Sequence, residues 1–303
     1  MEPRQATTEQ IRKATQKEGT IEDFNKVIES NSNDFKAYYY RAHLKAAAGD
    51  PNGAIEDLSQ TIRINPDFID ALSYRGYLYA ESGDENAAIQ DFNRVIELDP
   101  NNAMAYYNRA DLKKELGDND GAMMDYDKAI ALDPNDTISI YNRACLKIES
   151  RDLEGALEDL SKAIEIDPTF VEAFRRRGSL KSRIGDNEGA IRDYDRVIEL
   201  EPDNATAYGN RGVLKEESGD KDGAMYDYNK AIELNPSHFT AYCNRSMLKY
   251  YLRDNEGALQ DINQAIALNP NDAQAYQIRG AIKEVLGDND GAAQDYDKAS
   301  QMV

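Results

Sequence analysis

Apolar and small residues recur along most of the chain at the spacing of one face of an α-helix, in blocks that repeat every 34 residues. Within a block they occupy positions 3, 4, 8 and 10, and then positions 20, 24, 27 and 28. Residues 105–116 (AYYNRADLKKEL) and 122–132 (AMMDYDKAIAL) show one such pair of segments. The pattern therefore predicts two amphipathic helices in each block, joined by a short turn.

The boundaries of these helices carry the expected stop and start signals. Seven of the nine prolines stand at position 32, where the missing N–H and the restriction on the preceding residue end a helix. Position 15 is glycine in six of eight blocks, which suits a left-handed helix end, and position 16 is aspartate in all eight, which suits a helix cap. The blocks begin at residues 35, 69, 103, 137, 171, 205, 239 and 273, and residues 1–34 form an incomplete block.

Small and large residues occupy further fixed positions. Position 20 is alanine in all eight blocks, position 8 is alanine, glycine or serine, and positions 4 and 24 are large, as in Tyr106 and Tyr126. Helix–turn–helix blocks of 34 residues in register resemble the tetratricopeptide repeat (TPR) family. The resemblance implies an all-α fold, a right-handed superhelical solenoid of antiparallel helix pairs. We expect residues 35–303 to form an eight-unit TPR solenoid and residues 1–34 a degenerate N-terminal capping unit.

Composition argues against several other classes of protein. The formal net charge is −20, whereas nucleic-acid-binding proteins usually present a basic face, so we expect no nucleic-acid partner. No stretch approaches the ~20 apolar residues that span a bilayer, so we expect no membrane partner. Two cysteines, Cys145 and Cys243, favour a reducing compartment and a cytoplasmic protein. Histidine is the residue most often used for acid–base catalysis and metal binding, and the chain has only two. We therefore predict no enzyme activity, no metal site and no cofactor.

Charged residues recur at three framework positions. Position 7 is arginine in all eight blocks, position 23 is aspartate in those and in the incomplete block, and position 11 is lysine in seven. These side chains could form a charged ladder for a ligand, or an Arg–Asp pair that ties the two helices of a repeat together. A ligand site seldom needs the same residue in every repeat, whereas a framework does, so we interpret the pair as structural.

The resemblance also implies where a ligand would bind. In TPR proteins the first helices line the concave face, mainly with positions 2, 5, 6, 9, 12 and 13. These positions vary between the repeats of this chain, unlike positions 7, 20 and 23. Exposed tyrosines in line would make a partly apolar recognition patch, although drift on a solvated face would also produce variation.

Two further features of this face bear on its ligand. Position 6 is asparagine in four repeats, and its amide could hold the backbone of an extended peptide or be an ordinary surface residue. Residues 69–170 contain 22 acidic and 10 basic residues, whereas residues 171–204 contain seven basic ones, so charge could orient a partner with segments of both signs. The predicted peptide-binding residues are Tyr39, Tyr77, Tyr107, Asn108, Tyr141, Asn142, Arg175, Arg183, Asn210, Asn244, Tyr250 and Tyr251.

Together these features predict a non-catalytic protein–protein interaction scaffold that binds a peptide or protein segment in its concave groove. One alternative is a self-assembling TPR protein that forms homo-oligomers through its terminal repeats. Another is a docking arm of an enzyme complex whose chemistry resides in other chains. The sequence does not identify the partner, because a fold does not determine which ligand it binds.

Overall fold

The computed structural model describes residues 19–302, and every regular element in that part of the chain is an α-helix. The chain divides into two compact units, Met1–Asp159 and Leu160–Val303, with the boundary inside one helix. The predicted all-α fold of tandem helix pairs is confirmed. The predicted cap of residues 1–34 and solenoid of residues 35–303 stay predictions, and residues 1–18 of that cap lie outside the described residues.

The first compact unit contains the second helix of the incomplete block and the first three complete helix pairs, followed by the first helix of the fourth repeat. Each first helix contacts the second helix of its own repeat, and each second helix contacts the first helix of the next repeat. The helices are α1 Ile21–Ser30, α2 Phe35–Ala47, α3 Pro51–Ile64, α4 Ile69–Glu81, α5 Glu85–Leu98, α6 Ala103–Glu115, α7 Asn119–Leu132 and α8 Thr137–Glu149.

Helix α9, Leu153–Ile166, contains the boundary between the two compact units. The second compact unit then continues with four complete helix pairs that follow the same contact pattern. Its first helices also touch one another, since α12 contacts α14 and α14 contacts α16. These helices are α10 Val171–Arg183, α11 Asn187–Leu200, α12 Ala205–Glu217, α13 Lys221–Leu234, α14 Phe239–Tyr251, α15 Asn255–Leu268, α16 Ala273–Val285 and α17 Asn289–Ser300.

The turn inside each repeat is shorter than the sequence pattern predicts. In the third repeat the turn was expected to run from Gly117 to Gly121, but α7 already begins at Asn119. The reason is the cap, because the Asp118 carboxylate accepts a hydrogen bond from the Gly121 N–H at 3.0 Å and so satisfies a free donor of the first turn. Gly117 has φ +81°, the left-handed conformation expected at position 15.

Position 15 is left-handed even where it is not glycine. Arg151 and Arg253 replace glycine in two repeats and have φ of 67° and 69°. An L-residue in this region costs roughly 1–2 kcal/mol relative to a right-handed conformation. The surrounding helix pair therefore holds the turn in the same geometry despite the unfavourable residue.

Close approach of the two helices in a repeat explains the small residues. Ala122 and Ala224 at position 20 are completely buried, as are the rings of Tyr126 and Tyr228 at position 24. A Cβ atom on Gly212 at position 8 would lie 2.7 Å from the Tyr228 ring, too close for an unaltered structure. The predicted pairing of small and large residues is thus the packing that joins each helix pair.

Candidate functional site

The arginine at position 7 is a structural residue, as its presence in all eight repeats predicted. In all eight repeats its Nε and Nη2 atoms donate to the two carboxylate oxygens of the position-23 aspartate. The Arg211 guanidinium, for example, lies 2.8 and 2.6 Å from the Asp227 oxygens. The aspartate is buried in every repeat. This bidentate pair joins the two helices of each repeat.

A third partner of this arginine was not predicted from the sequence. The Nη1 atom donates to the position-25 side chain of the preceding repeat in all eight cases, as Arg211 does to Asp195 at 2.6 Å. The signal was present, because position 25 always carries a short side chain with an oxygen acceptor. The acceptors are Asn25, Ser59, Asn93, Asp127, Ser161, Asp195, Asn229 and Asn263. The arginine therefore links neighbouring repeats and is not available to a ligand.

The lysine at position 11 completes the framework in seven repeats, where its Nζ atom lies within 3.0 Å of the same aspartate. The second repeat has Tyr79 instead. There, burial raises the pKa of Asp91, and the opposing attraction of Arg75 does not compensate. In the last repeat burial also acts to raise the pKa of Asp295, but Arg279 and Lys283 outweigh it and the pKa is lowered. The lysine thus places a second positive charge beside the buried carboxylate in seven repeats, and the second repeat lacks it.

We define the first-helix face as positions 2, 5, 6, 9, 12 and 13 of each first helix. At the start of the first compact unit this face is aromatic. Tyr39 is half-buried, with ring-centroid distances of 5.0 Å to Phe68 and 4.6 Å to His43. Tyr77, also half-buried, stacks on Tyr74 at 6.4 Å. These two predicted site residues remain partly accessible to a ligand.

His43 lies beneath these rings. It is buried and stacks on Tyr74 with a ring-centroid distance of 4.2 Å. Neither ring nitrogen has a hydrogen-bond partner among residues 19–302. Burial lowers the pKa of His43 to about 4, because no neighbouring acceptor stabilises the protonated ring.

Four other predicted site residues of the first unit are buried rather than exposed: Tyr107, Asn108, Tyr141 and Asn142. The Asn142 amide donates to an Asp111 carboxylate oxygen at 3.0 Å, and the Tyr126 hydroxyl donates to the same oxygen. One of the two N–H donors that Asn142 would offer to a peptide is therefore used inside the protein, and the side chain is buried. Ligand contact by these four residues stays a prediction, and their burial does not favour it.

The first-helix face of the second compact unit is more open. Arg175 and Arg183 are exposed on α10, and neither forms an ion pair within the described part of this unit. Asn210 on α12 donates to the Tyr194 hydroxyl at 3.3 Å. Burial raises the pKa of Tyr194, while the Asn210 hydrogen bond and the nearby Arg175 charge oppose the increase. The Arg175 charge thus lies near the hydrogen bond between Tyr194 and Asn210, which joins two adjacent repeats.

The same face continues onto α14. Asn244 and Tyr250 are half-buried, and Tyr251 is exposed, with 5.9 Å between the two tyrosine ring centroids. Cys243 lies among them, and burial raises the pKa of its thiol to about 12, so the thiol stays protonated and is a poor nucleophile. The described residues contain no group of three or more metal-ligating side chains that could hold a metal ion. Nor is any described helix long and apolar enough to cross a membrane.

Tandem helix pairs with this framework define an α-helical repeat protein. The chain belongs to the tetratricopeptide repeat family. Models described as "TPR repeat" match residues 76–117 and 182–219, and models described as "Tetratricopeptide repeat" match residues 103–136, 139–170, 205–238 and 243–301. Comparison with curated proteins gave no match.

Solved structures share the fold. The crystal structure of MamA is 25% identical, with a TM-score of 0.50, and the match covers 52% of this chain and 93% of that one. A tetratricopeptide repeat protein from Parabacteroides merdae ATCC 43184 is 22% identical, with a TM-score of 0.57 and coverage of 82% and 98%. YrrB, described as "a TPR protein with an unusual peptide-binding site", is 22% identical, with a TM-score of 0.55 and coverage of 62% and 96%.

Proposed function

We propose that this chain is a non-catalytic scaffold that binds a peptide or protein segment on the first-helix face. The observation that carries the proposal is the contrast between two sets of arginines. The eight position-7 arginines are each held by side chains of two repeats, whereas Arg175 and Arg183 are exposed and form no ion pair in the described part of the second unit. The ion pairs and hydrogen bonds that hold the repeats together therefore do not use these two positive charges.

The geometry favours a segment with acidic residues at one end. Arg175 and Arg183 lie eight residues apart, or about 12 Å along α10, and each can receive a carboxylate in a bidentate arrangement. Neighbouring repeats are spaced at about 10 Å, a distance that about three residues of extended peptide cover. Asn210 stands one position further along its helix than Arg175, and Tyr251 seven positions further again, about 10.5 Å. A segment that starts at Arg175 would therefore reach Asn210 in about three residues and Tyr251 in about four to five more.

The side chains along that path suit a polypeptide. Asn210 and Asn244 are half-buried amides that can hydrogen-bond to a peptide backbone of any sequence. Tyr250 and Tyr251 offer ring surface to an apolar side chain. The net charge of −20 disfavours a nucleic acid as the ligand. The description of YrrB as having a peptide-binding site supports the proposal only by analogy of fold.

The test is a selection from a display library of random peptides about ten residues long, enough to span three repeats. The wild-type chain should enrich peptides with Asp or Glu near one end, and the double variant Arg175→Gln with Arg183→Gln should lose that enrichment. Arg192→Gln is the matched control, because Arg192 is an exposed arginine on the second helix of the same repeat. No acidic enrichment, or equal enrichment by all three proteins, would contradict the proposal.

A further inference from the structure

Four exposed apolar side chains stand at the end of two adjacent first helices in the second compact unit. Tyr251 is the last residue of α14 and Leu252 caps it, with exposed fractions of 59% and 47%. Val285 is the last residue of α16 and Leu286 caps it, with exposed fractions of 47% and 42%. We call these four residues the edge patch. The two pairs occupy the same positions, 13 and 14, of successive repeats, and their helices α14 and α16 are in contact. Tyr296 on α17, 38% exposed, donates to Glu284 at 3.1 Å and adds ring surface beside them.

The other repeats show that the fold does not require this patch. Positions 13 and 14 hold Glu–Ser in the second, fourth and sixth repeats, and no repeat outside the last two has a large apolar residue at both positions. Serine ends the first helix in the second, fourth and sixth repeats, at Ser82, Ser150 and Ser218. Exposed apolar side chains on two successive repeats therefore indicate an interaction surface rather than a packing requirement.

Charge around the edge patch selects the kind of partner. The turns and helix ends that border it expose five carboxylates and one guanidinium: Asp254, Glu256, Glu284, Asp288, Asp290 and Arg253. Like-charged rims would face each other if two copies met through this patch, and the chain as a whole carries −20. The rim instead complements a partner with lysine or arginine beside its apolar residues.

We propose that the edge patch binds a basic amphipathic helix of another protein. The two pairs of apolar side chains belong to repeats about 10 Å apart. Residues i and i+7 of an α-helix are separated by about 10.5 Å along its axis, so one apolar stripe can contact both pairs at once. Lysine or arginine on the flanks of that helix would then face the acidic rim. Tyr251 belongs both to the edge patch and to the arginine-centred path, whereas Leu252, Val285 and Leu286 lie outside that path.

The probe is a fluorescent peptide of two copies of Leu-Lys-Lys-Leu-Leu-Lys-Leu, with a second peptide that has Glu at every Lys as the charge control. Fluorescence anisotropy compares the wild type with the double variant Leu252→Ser and Leu286→Ser, which introduces the residue that three other repeats carry at this position. Leu116→Ser is the matched control, since Leu116 occupies the same position in the third repeat and is 51% exposed. The melting temperature of each variant confirms that it is folded.

The basic peptide should bind the wild type and Leu116→Ser equally, bind the double variant at least about tenfold more weakly, and lose affinity as salt rises. The glutamate peptide should not bind. Arg175→Gln with Arg183→Gln should leave this affinity intact, which separates the edge patch from the proposed peptide site. Equal binding of the basic peptide to the double variant would overturn the inference. So would binding of both peptides, no binding of the basic one, or a wild-type dimer that the double variant dissociates.

Discussion

Loss of the position-7 guanidinium should be among the most damaging single changes in this protein. Arg211 is the sharpest case, because its side chain is 13% exposed and that of its partner Asp227 is fully buried. The guanidinium binds both Asp227 oxygens, donates to Asp195 in the preceding repeat at 2.6 Å and lies 5.4 Å from the centroid of the Tyr208 ring. The substitution Arg211→Gln removes all of these contacts and leaves Asp227 in the interior.

Breaking a buried ion pair by removing one partner costs about 3–5 kcal/mol, since the remaining charge is uncompensated. Lys215 stays 2.9 Å from Asp227 and neutralises part of that charge, so the lower end of the range applies, about 3 kcal/mol. For a unit of this size each kcal/mol lowers the melting temperature by about 2–4 °C, which gives a decrease of about 10 °C.

Differential scanning calorimetry of three variants tests this reasoning. Arg94→Gln is the control, because Arg94 pairs with Asp67 and Glu97 at the surface and its loss should move the melting temperature by about a degree or less. The double variant Arg211→Met with Asp227→Leu should recover much of the stability, as apolar residues remove the unpaired charge. A decrease for Arg211→Gln as small as that for Arg94→Gln would refute the structural role of the pair.

Three further predictions concern the lysine missing at position 11 of the second repeat, the left-handed turn at Arg151, and the buried His43. Tyr79→Lys should introduce the missing lysine, lower the pKa of Asp91 and raise the melting temperature, which carboxyl NMR titration and calorimetry would detect. Arg151→Gly should stabilise the fold by roughly 0.5–1 kcal/mol, measured by urea unfolding. Glycine adopts φ 67° without strain, and this gain exceeds the larger chain entropy that glycine loses on folding. His43 has a pKa of about 4 when folded and binds protons more readily when unfolded, so stability should fall as the pH drops from about 6.5 to about 4. His43→Phe should flatten that dependence; an unchanged pH profile would contradict the assignment.

The helices were predictable because each depends on local chemistry, although the second helix of a repeat begins earlier than the pattern placed it. Proline at position 32, aspartate at position 16 and the alternation of small and large residues act within one repeat, and each lies where the pattern placed it. The bidentate pair was also predictable, since two charges that never vary between repeats are framework residues. The third arginine contact was missed because position 25 varies between asparagine, serine and aspartate, and only a structure shows that each accepts the same hydrogen bond.

The candidate site was harder to predict. The pattern shows which positions vary between repeats, but it does not show how exposed the side chain at such a position is. Tyr107 and Tyr141 occupy position 5, as Arg175 does, yet the two tyrosines are buried and the arginine is exposed. The difference arises from neighbouring side chains: Tyr107 packs in a core cluster with Tyr126 and Leu146. Exposure of a variable position therefore depends on the adjacent repeat, which a single-repeat pattern does not describe.

The central claim is that the first-helix face of the second compact unit binds an acidic peptide segment through the two exposed arginines. It is tested most directly by the dissociation constant of a library-selected acidic peptide for the wild type, for Arg175→Gln with Arg183→Gln, and for Arg192→Gln. We predict a loss of about tenfold or more for the double variant, no change for Arg192→Gln, and weaker wild-type binding at high salt. Equal affinities for all three proteins would contradict the account.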